Sequence, residues 1–570
     1  MLLRSLQGSG MNRLRVDSVD PVLLGASGLV AGGLWLVARH EVVVATVVVL
    51  VLAVIARRTT LRGALVATIA IGVGALRARS AVSHDETRRA KADAALPSPV
   101  RCSAHARVDS SPVRVRDILR WDAELSRVSC ADMQIAWEGR ATLYGGPDDL
   151  AHGDEVDIVA TIAPPQRFWN ASSGDPRPTQ ARRGILRSGG TLDVRVTRRG
   201  SGVLAWIDRV RARVRARIEA TFNADLAPMA RALVLGESDL TPDDDQAFRA
   251  SGLSHLLAVS GMHLVLVLAV AVRALEGILS RIECVAGSVD VGRIAAAIGV
   301  PVTWIYAEFA GAGGSTVRAA WMMTASLGAR ALGRRTDPTR AFAISLGVMA
   351  LADSLIAFDL SFALSAGATA GLIAFAEPMT QWLASRVPKV CAPVAAATAT
   401  TIAASIPCVP ILARFAPTVP IGGVIANLVA VPLGEGAALP LCLVHAVLYG
   451  WPAAERGCAV VASGALIAVR LVARGFATPA LTTEAPPPTS WQLAVLAAML
   501  AAIFLRVRGR TAVIAASAAM LLVLEVCARR SGAPRGMLRA TFIDVGQGDA
   551  ALVDLPSGEA LVIDGGGLVG

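Results

Sequence analysis

Two histidines eight residues apart, His255 and His263, flank a Ser260-Gly261 step inside an apolar run. Eight residues are about 800° of helical rotation, which leaves the two imidazoles about 80° from a common face. Both could border one lumen. Ser260-Gly261 adds a hydroxyl and a point of close packing or unwinding, which suits backbone on a water-filled path better than backbone facing lipid. The plain alternative is a histidine that bonds a neighbouring helix. Further along, Ser315 and Arg318 stand three apart at the start of another apolar run. A guanidinium within a span is costly unless it faces protein or water, or snorkels to the interface. A third set is Asp353, Asp359, Ser361 and Ser365, in which Asp359 is placed to cap the run that begins at Leu360. The chemistry these residues suit is passage of something polar through a membrane, and they suggest no catalytic group.

Two basic segments lie upstream. A Gly/Pro/Arg-rich loop over 167–187 holds Arg167, Arg177, Arg182 and Arg183, which read either as a solvated loop or as an edge that contacts phosphate. Over 203–222, Arg209, Arg211, Arg213, Arg215 and Arg217 alternate with apolar residues. Period two smears charge around a helix and gives no clean apolar stripe. The expectation is an interfacial helix lying on anionic headgroups, with contact to a polyanionic substrate as the second choice.

The elements that must position these groups can be read from composition. Of 570 residues 54% are hydrophobic and 17% charged, with a mean hydropathy of +0.55. Those proportions exclude a soluble globular class and indicate a polytopic membrane protein with room for a soluble domain. The net charge of +11 is carried almost wholly by Arg, which serves phosphate binding and membrane orientation equally well. Apolar stretches at 22–38, 42–56 and 63–76 form an N-terminal membrane unit over 1–79, read as a retained anchor because no small-residue cleavage site comes after the first. Arg4, Arg13, Arg15, Arg57, Arg58 and Arg62 place their flanks in the cytoplasm, so three spans put the segment from residue 80 onward outside.

From 80 to 200 short runs of alternating residues separated by Gly turns predict a small β-barrel or sandwich. An extracytoplasmic location would allow Cys102 and Cys130 to bridge. Residues 201–250 read as amphipathic linker helices. Spans then recur over 251–530, near 253–275, 294–310, 316–332, 341–357, 360–376, 393–413, 421–448 (one or two), 459–472, 493–505 and 512–526. Pro301, Pro407, Pro410, Pro420, Pro432 and Pro440 interrupt several, and broken helices at membrane depth are tolerated where they line a cavity. From 537 to 570 strands with Gly turns open another soluble domain.

Four stretches carry a resemblance to a known family. They are Gly-Leu-Ser-His-Leu-Leu-Ala-Val-Ser-Gly-Met-His at 252–263, Ser-Thr-Val-Arg-Ala at 315–319, Asp-Leu-Ser-Phe-Ala-Leu-Ser at 359–365 and Phe-Ile-Asp-Val-Gly-Gln-Gly-Asp-Ala at 542–550. Together, in this order, they resemble the ComEC family of competence proteins. The resemblance implies an extracytoplasmic OB-fold domain at 80–200, a polytopic α-helical competence domain at 251–530 and the start of an α/β metallo-β-lactamase-like domain at 537–570. It also implies a multi-pass protein of the bacterial cytoplasmic (inner) membrane that passes single-stranded DNA during natural transformation. The implied partners are single-stranded DNA, membrane lipid, a periplasmic DNA receptor and a cytoplasmic translocating motor; a homo-oligomer is left open.

The pathway residues expected on this basis are His255, Ser260, Gly261, His263, Ser315, Arg318 and Asp359, with Arg167, Arg177, Arg182 and Arg183 as DNA contacts. The lactamase-like fold needs a His-x-His-x-Asp-His cluster, and no His comes after His445. The expectation is therefore a C-terminal truncation of that domain and a channel with no cofactor, metal or hydrolase site of its own. No phosphate-loop motif appears, so the pulling force is expected from the separate motor. A membrane nuclease lacking its catalytic part, and a transporter of another solute, are the competing readings.

Overall fold

The computed structural model describes residues 20–55, 59–96, 99–115, 118–131, 133–170, 174–237, 239–335, 337–416, 418–484, 486–504, 509–532, 536–546 and 548–565. Arg4, Arg13, Arg15, Arg57 and Arg58, the cations expected to orient the first spans, lie outside them.

Seven described helices are long and apolar enough to cross a membrane: Leu61–Ala95, Ser254–Leu279, Leu360–Ala384, Lys389–Leu412, Gly423–Val447, Pro452–Phe476 and Arg510–Ser531. Shorter apolar helices, among them Pro21–Leu34 and Pro338–Ala352, pack beside them. They mark a multi-pass membrane protein. Small residues bring the N-terminal helices together: a Cβ on Gly32 would sit 2.3 Å from the Ile71 carbonyl, and one on Gly74 would sit 2.4 Å from the Leu29 carbonyl. Only glycine permits backbones at that distance.

One boundary differs from expectation. The helix that begins at Leu61 does not end near residue 79 but continues to Ala95. Its 35 residues measure about 52 Å, against roughly 30 Å of hydrocarbon. The surplus is a polar stalk. Its buried Asp85–Arg89 pair (2.7 Å) satisfies charge along its own axis, and Ala92 and Leu96 enter the core of the β domain. Arg187, 1% exposed, fastens that junction by donating to the Leu96 carbonyl at 3.1 Å and pairing with Asp93 at 3.0 Å.

The β domain contains β1 (Val100–Val108), β2 (Val113–Val115), β3 (Ile118–Cys130), β4 (Met133–Gln134), β5 (Gly139–Tyr144), β6 (Glu155–Ala163) and β7 (Arg187–Arg198). The order β1-β6-β7-β5-β3 closes on itself through a β1–β3 pairing, and β5 and β7 are parallel. Every second residue of β3 turns inward, so Trp121, Ala123 and Leu125 fill the barrel while Arg120, Asp122 and Glu124 point out. Cys102 and Cys130 face each other in the β1–β3 register and are disulfide-bonded.

Two of the long helices contain a π-helical turn, Leu372–Ala376 and Gly434–Ala438. Each precedes a proline, Pro378 and Pro440, whose missing N–H leaves the carbonyl four residues earlier without its helical partner; the wider turn absorbs that defect. Pro301, Pro407, Pro410 and Pro432 lie inside helices that continue through them, and Pro420 ends a short strand. The proline-interrupted segments are thus single helices, and 421–448 is one span.

The basic helix Val203–Thr221 packs one face into the molecule and leaves Val203, Leu204, Trp206 and Arg213 exposed. Arg211 and Arg215, one helical turn apart, point inward at Glu237, which is fully buried; Arg215 reaches it at 2.5–3.0 Å and Arg211 at 3.7 Å. Arg211 also donates to the Phe309 carbonyl, Arg209 donates to the Gly200 carbonyl, and Arg217 pairs with Glu455. Burial lowers the hold of Arg211 on its proton. In Arg215 burial acts in the same sense but is outweighed by the bonds to Glu237, so that guanidinium is raised above its ordinary value. The alternating arginines therefore spread in several directions because they meet carboxylates and carbonyls on several sides.

The C-terminal strands Arg539–Phe542, Ala550–Asp554 and Ala560–Gly565 form an antiparallel sheet. Asp544 ties it to the loop between β6 and β7: its carboxylate accepts from the Trp169 N–H at 2.9 Å, and its N–H and carbonyl bond the Asn170 side chain at 2.8 Å each. The two β units therefore share one side of the membrane.

Candidate functional site

The stretch 252–263 forms a short helix, Ser254–Leu257, a break, and then the helix Gly261–Leu279. Ser260 caps the second helix by accepting from the Met262 N–H, and the His263 ring accepts from the Ser260 N–H at 3.4 Å, which completes a capping box. His263 is fully buried. His255 bonds the Gly252 carbonyl at 3.0 Å. Gly261 serves close packing, since a Cβ there would lie 3.0 Å from Ala319.

The break leaves the Val259 carbonyl without a helical partner, and two hydroxyls supply one: Ser315 Oγ at 3.2 Å and Thr316 Oγ1 at 3.3 Å. The Ser315 N–H in turn donates to Ser361 Oγ at 3.1 Å. Asp359 caps its helix through the Phe362 N–H at 2.8 Å, as its position predicted, and its other oxygen pairs with Arg182 at 2.7 Å. Arg182 also holds Asp353 at 2.7 Å. Hence the stretches 252–263, 315–319 and 359–365, far apart in sequence, form one hydrogen-bonded cluster reached by an arginine of the β domain.

Two cavities adjoin this cluster. The outer one, about 600 Å³, lies between the β domain and the helices; Arg120, Asp122, Arg140, Arg182 and Arg183 face Val317, Trp321, Asp353 and Asp359 across it. The inner one, about 250 Å³, is lined by Glu237, Ser254, Ser315, Thr316 and Ser361 among others. Gly313 lines both.

Of the expected pathway residues, Ser315 and Asp359 border these cavities. His255, Ser260, Gly261, His263 and Arg318 border neither. His263 gives its Nδ1 to the cap, and its Nε2 is buried with no hydrogen-bond partner among the described residues. Arg318, 4% exposed, donates to Ser365 Oγ at 3.1 and 2.7 Å and lies 5.8 Å over the Phe342 ring; among the described residues it has no carboxylate partner. Of the loop arginines, Arg167 is held by Glu86 and Gln180, Arg177 by Asp175, and Arg182 by its two aspartates, while Arg183 makes no ion pair among the described residues. Sequence reasoning missed Gly313, Arg120, Arg140 and Glu237. The run Ala310-Gly-Ala-Gly-Gly314 was a visible signal for the first; the others carry none, because their roles depend on partners distant in sequence.

Asp554 pairs with Arg539 at 2.6 Å, Asp544 is spent on the contact with Trp169 and Gly546, and no histidine accompanies them.

Residues 233–510 match the family model described as Competence protein. The match supports a competence-protein family for this chain. It takes in all three helical stretches of the cluster and the lining of the inner cavity apart from Ala232, and it supports a role in competence, the uptake of DNA. The β-domain arginines of the outer cavity lie outside it. No curated protein and no solved structure matches the chain.

Proposed function

We propose that this chain is a channel of the ComEC type, passing single-stranded DNA across the bacterial cytoplasmic membrane in natural transformation. The observation that carries the reading is the pair of adjoining polar cavities, one bordered by β-domain arginines and the other built from the hydroxyl-bearing stretches of the competence segment. A polyanion needs a path that offers polar groups and positive charge without trapping it. Here positive groups alternate with Asp122, Asp353 and Asp359, so no uninterrupted basic surface holds the strand.

The β domain lies outside the cytoplasm in this reading. Its disulfide and its five-stranded closed order with one parallel pair support an extracytoplasmic OB-fold, an architecture that binds single strands. A periplasmic receptor delivers the DNA, a cytoplasmic motor pulls it, and the chain performs no hydrolysis. The test is internalisation of labelled DNA in cells lacking the chain: nuclease-protected label is lost while surface-bound label persists. Undiminished protected label in those cells removes the reading.

A further inference from the structure

The two cavities are separated by the loop that precedes the helix Gly314–Ala331, and this loop carries no side chain larger than a methyl group from Ala310 to Gly314. The glycines in it are not equivalent. Gly311 has φ +90°, a conformation that demands glycine, and a Cβ on Gly314 would lie 2.7 Å from the Asp359 carboxylate. Gly313 has φ −62° and ψ 156°, ordinary for any residue, and a Cβ built on it meets nothing within 4 Å. Neither backbone nor packing requires glycine there. The open space around it is the space between the two cavities.

On the outer side, Arg182 is neutralised by Asp353 and Asp359, whereas Arg120 and Arg183 make no ion pair among the described residues. Two uncompensated guanidinium groups at the mouth of a cavity suit phosphodiester oxygens. The outer volume lies within the range of about 300–1,000 Å³ of pockets that enclose small ligands, so it admits nucleotide-sized groups one at a time.

Resting on the channel reading, we propose that the cavities form one passage and that a single strand crosses from the outer to the inner at Gly313, its phosphodiesters received by Arg120 and Arg183. The bare position keeps the junction open, and the hydroxyls of Ser315 and Ser361 line the path beyond it.

The test uses the full chain in competent cells, with Gly313→Cys as the only copy and the parent as control for the six other free cysteines. A bulky, charged, membrane-impermeant thiosulfonate reagent is added outside, and protected single-strand label is counted. The reagent should lower uptake at least tenfold in the variant and leave the parent unchanged, and a reductant should restore it. Gly313→Trp should show the same loss at parental abundance in the membrane, and Gly313→Ala should behave as the parent. A variant whose introduced thiol is fully derivatised yet takes up DNA at the untreated rate overturns the passage, as does a thiol the reagent cannot reach. If deleting the chain leaves uptake intact, the channel reading itself fails; if deletion abolishes uptake and the reagent does nothing, only the junction at Gly313 fails.

Discussion

Ser315 and Thr316 show how one side chain can be both structural and exposed to a path. Their hydroxyls share the Val259 carbonyl, and Ser315 also faces the inner cavity. Removing one leaves the other in place, so Ser315→Ala should cost under about 1 kcal/mol, while Ser315→Ala with Thr316→Ala should cost about 1–3 kcal/mol by stranding a buried carbonyl. Thermal unfolding in detergent distinguishes the two; equal effects would show that the carbonyl finds another donor. The outer arginines make a different prediction. If Arg120 and Arg183 each meet a phosphate, replacing both with Ala should flatten the dependence of log K on log salt by about 1.4, from about 0.7 per contact with a single strand. An unaltered slope places the phosphates elsewhere. The capping role of Asp359 was legible in the sequence because it depends on the next three residues. Its pairing with Arg182, 177 positions earlier by number, was not.

At the scale of elements, the basic helix Val203–Thr221 gives the clearest contrast between pattern and outcome. Alternating arginines suggested a helix on a lipid surface, yet its inward face ends on Glu237, a fully buried carboxylate that balances Arg211 and Arg215. Glu237→Gln leaves those two cations buried without their counter-charge, and breaking a buried pair from one side costs about 3–5 kcal/mol. The variant should accumulate poorly or melt far below the parent. Replacing Arg215 and Glu237 together with apolar residues of similar size should recover much of the loss. Failure of that rescue would mean that the network matters for more than charge balance. The π turns before Pro378 and Pro440 belong to the same scale: proline predicted a disturbance, and neighbouring backbone absorbed it without breaking the helix.

For the whole molecule, the contact of Asp544 with Trp169 and Asn170 sets the C-terminal sheet on the side of the membrane that holds the disulfide-bonded barrel. An epitope inserted in the turn after Pro556 should therefore be reached by antibody from the same side as Cys102 and Cys130, once these are reduced and labelled with an impermeant reagent. Opposite accessibility would sever the two units. The long stalk at Leu61–Ala95 serves this arrangement by carrying the barrel clear of the hydrocarbon while its last residues join the barrel core.

Local physics was readable in advance. Mean hydropathy fixed the membrane class, period-two alternation located most barrel strands, and the spacing of Asp359 before an apolar run marked a cap, because each depends on neighbours a few residues away. The mate of Glu237, the two aspartates around Arg182, the capping duty of His263 and the bare junction at Gly313 depend on segments that meet only when the chain is folded. Sequence named the groups able to meet a polyanion; packing in three dimensions decided that buried His263 and Arg318 line neither cavity, while Gly313 and the arginines of the barrel border open space.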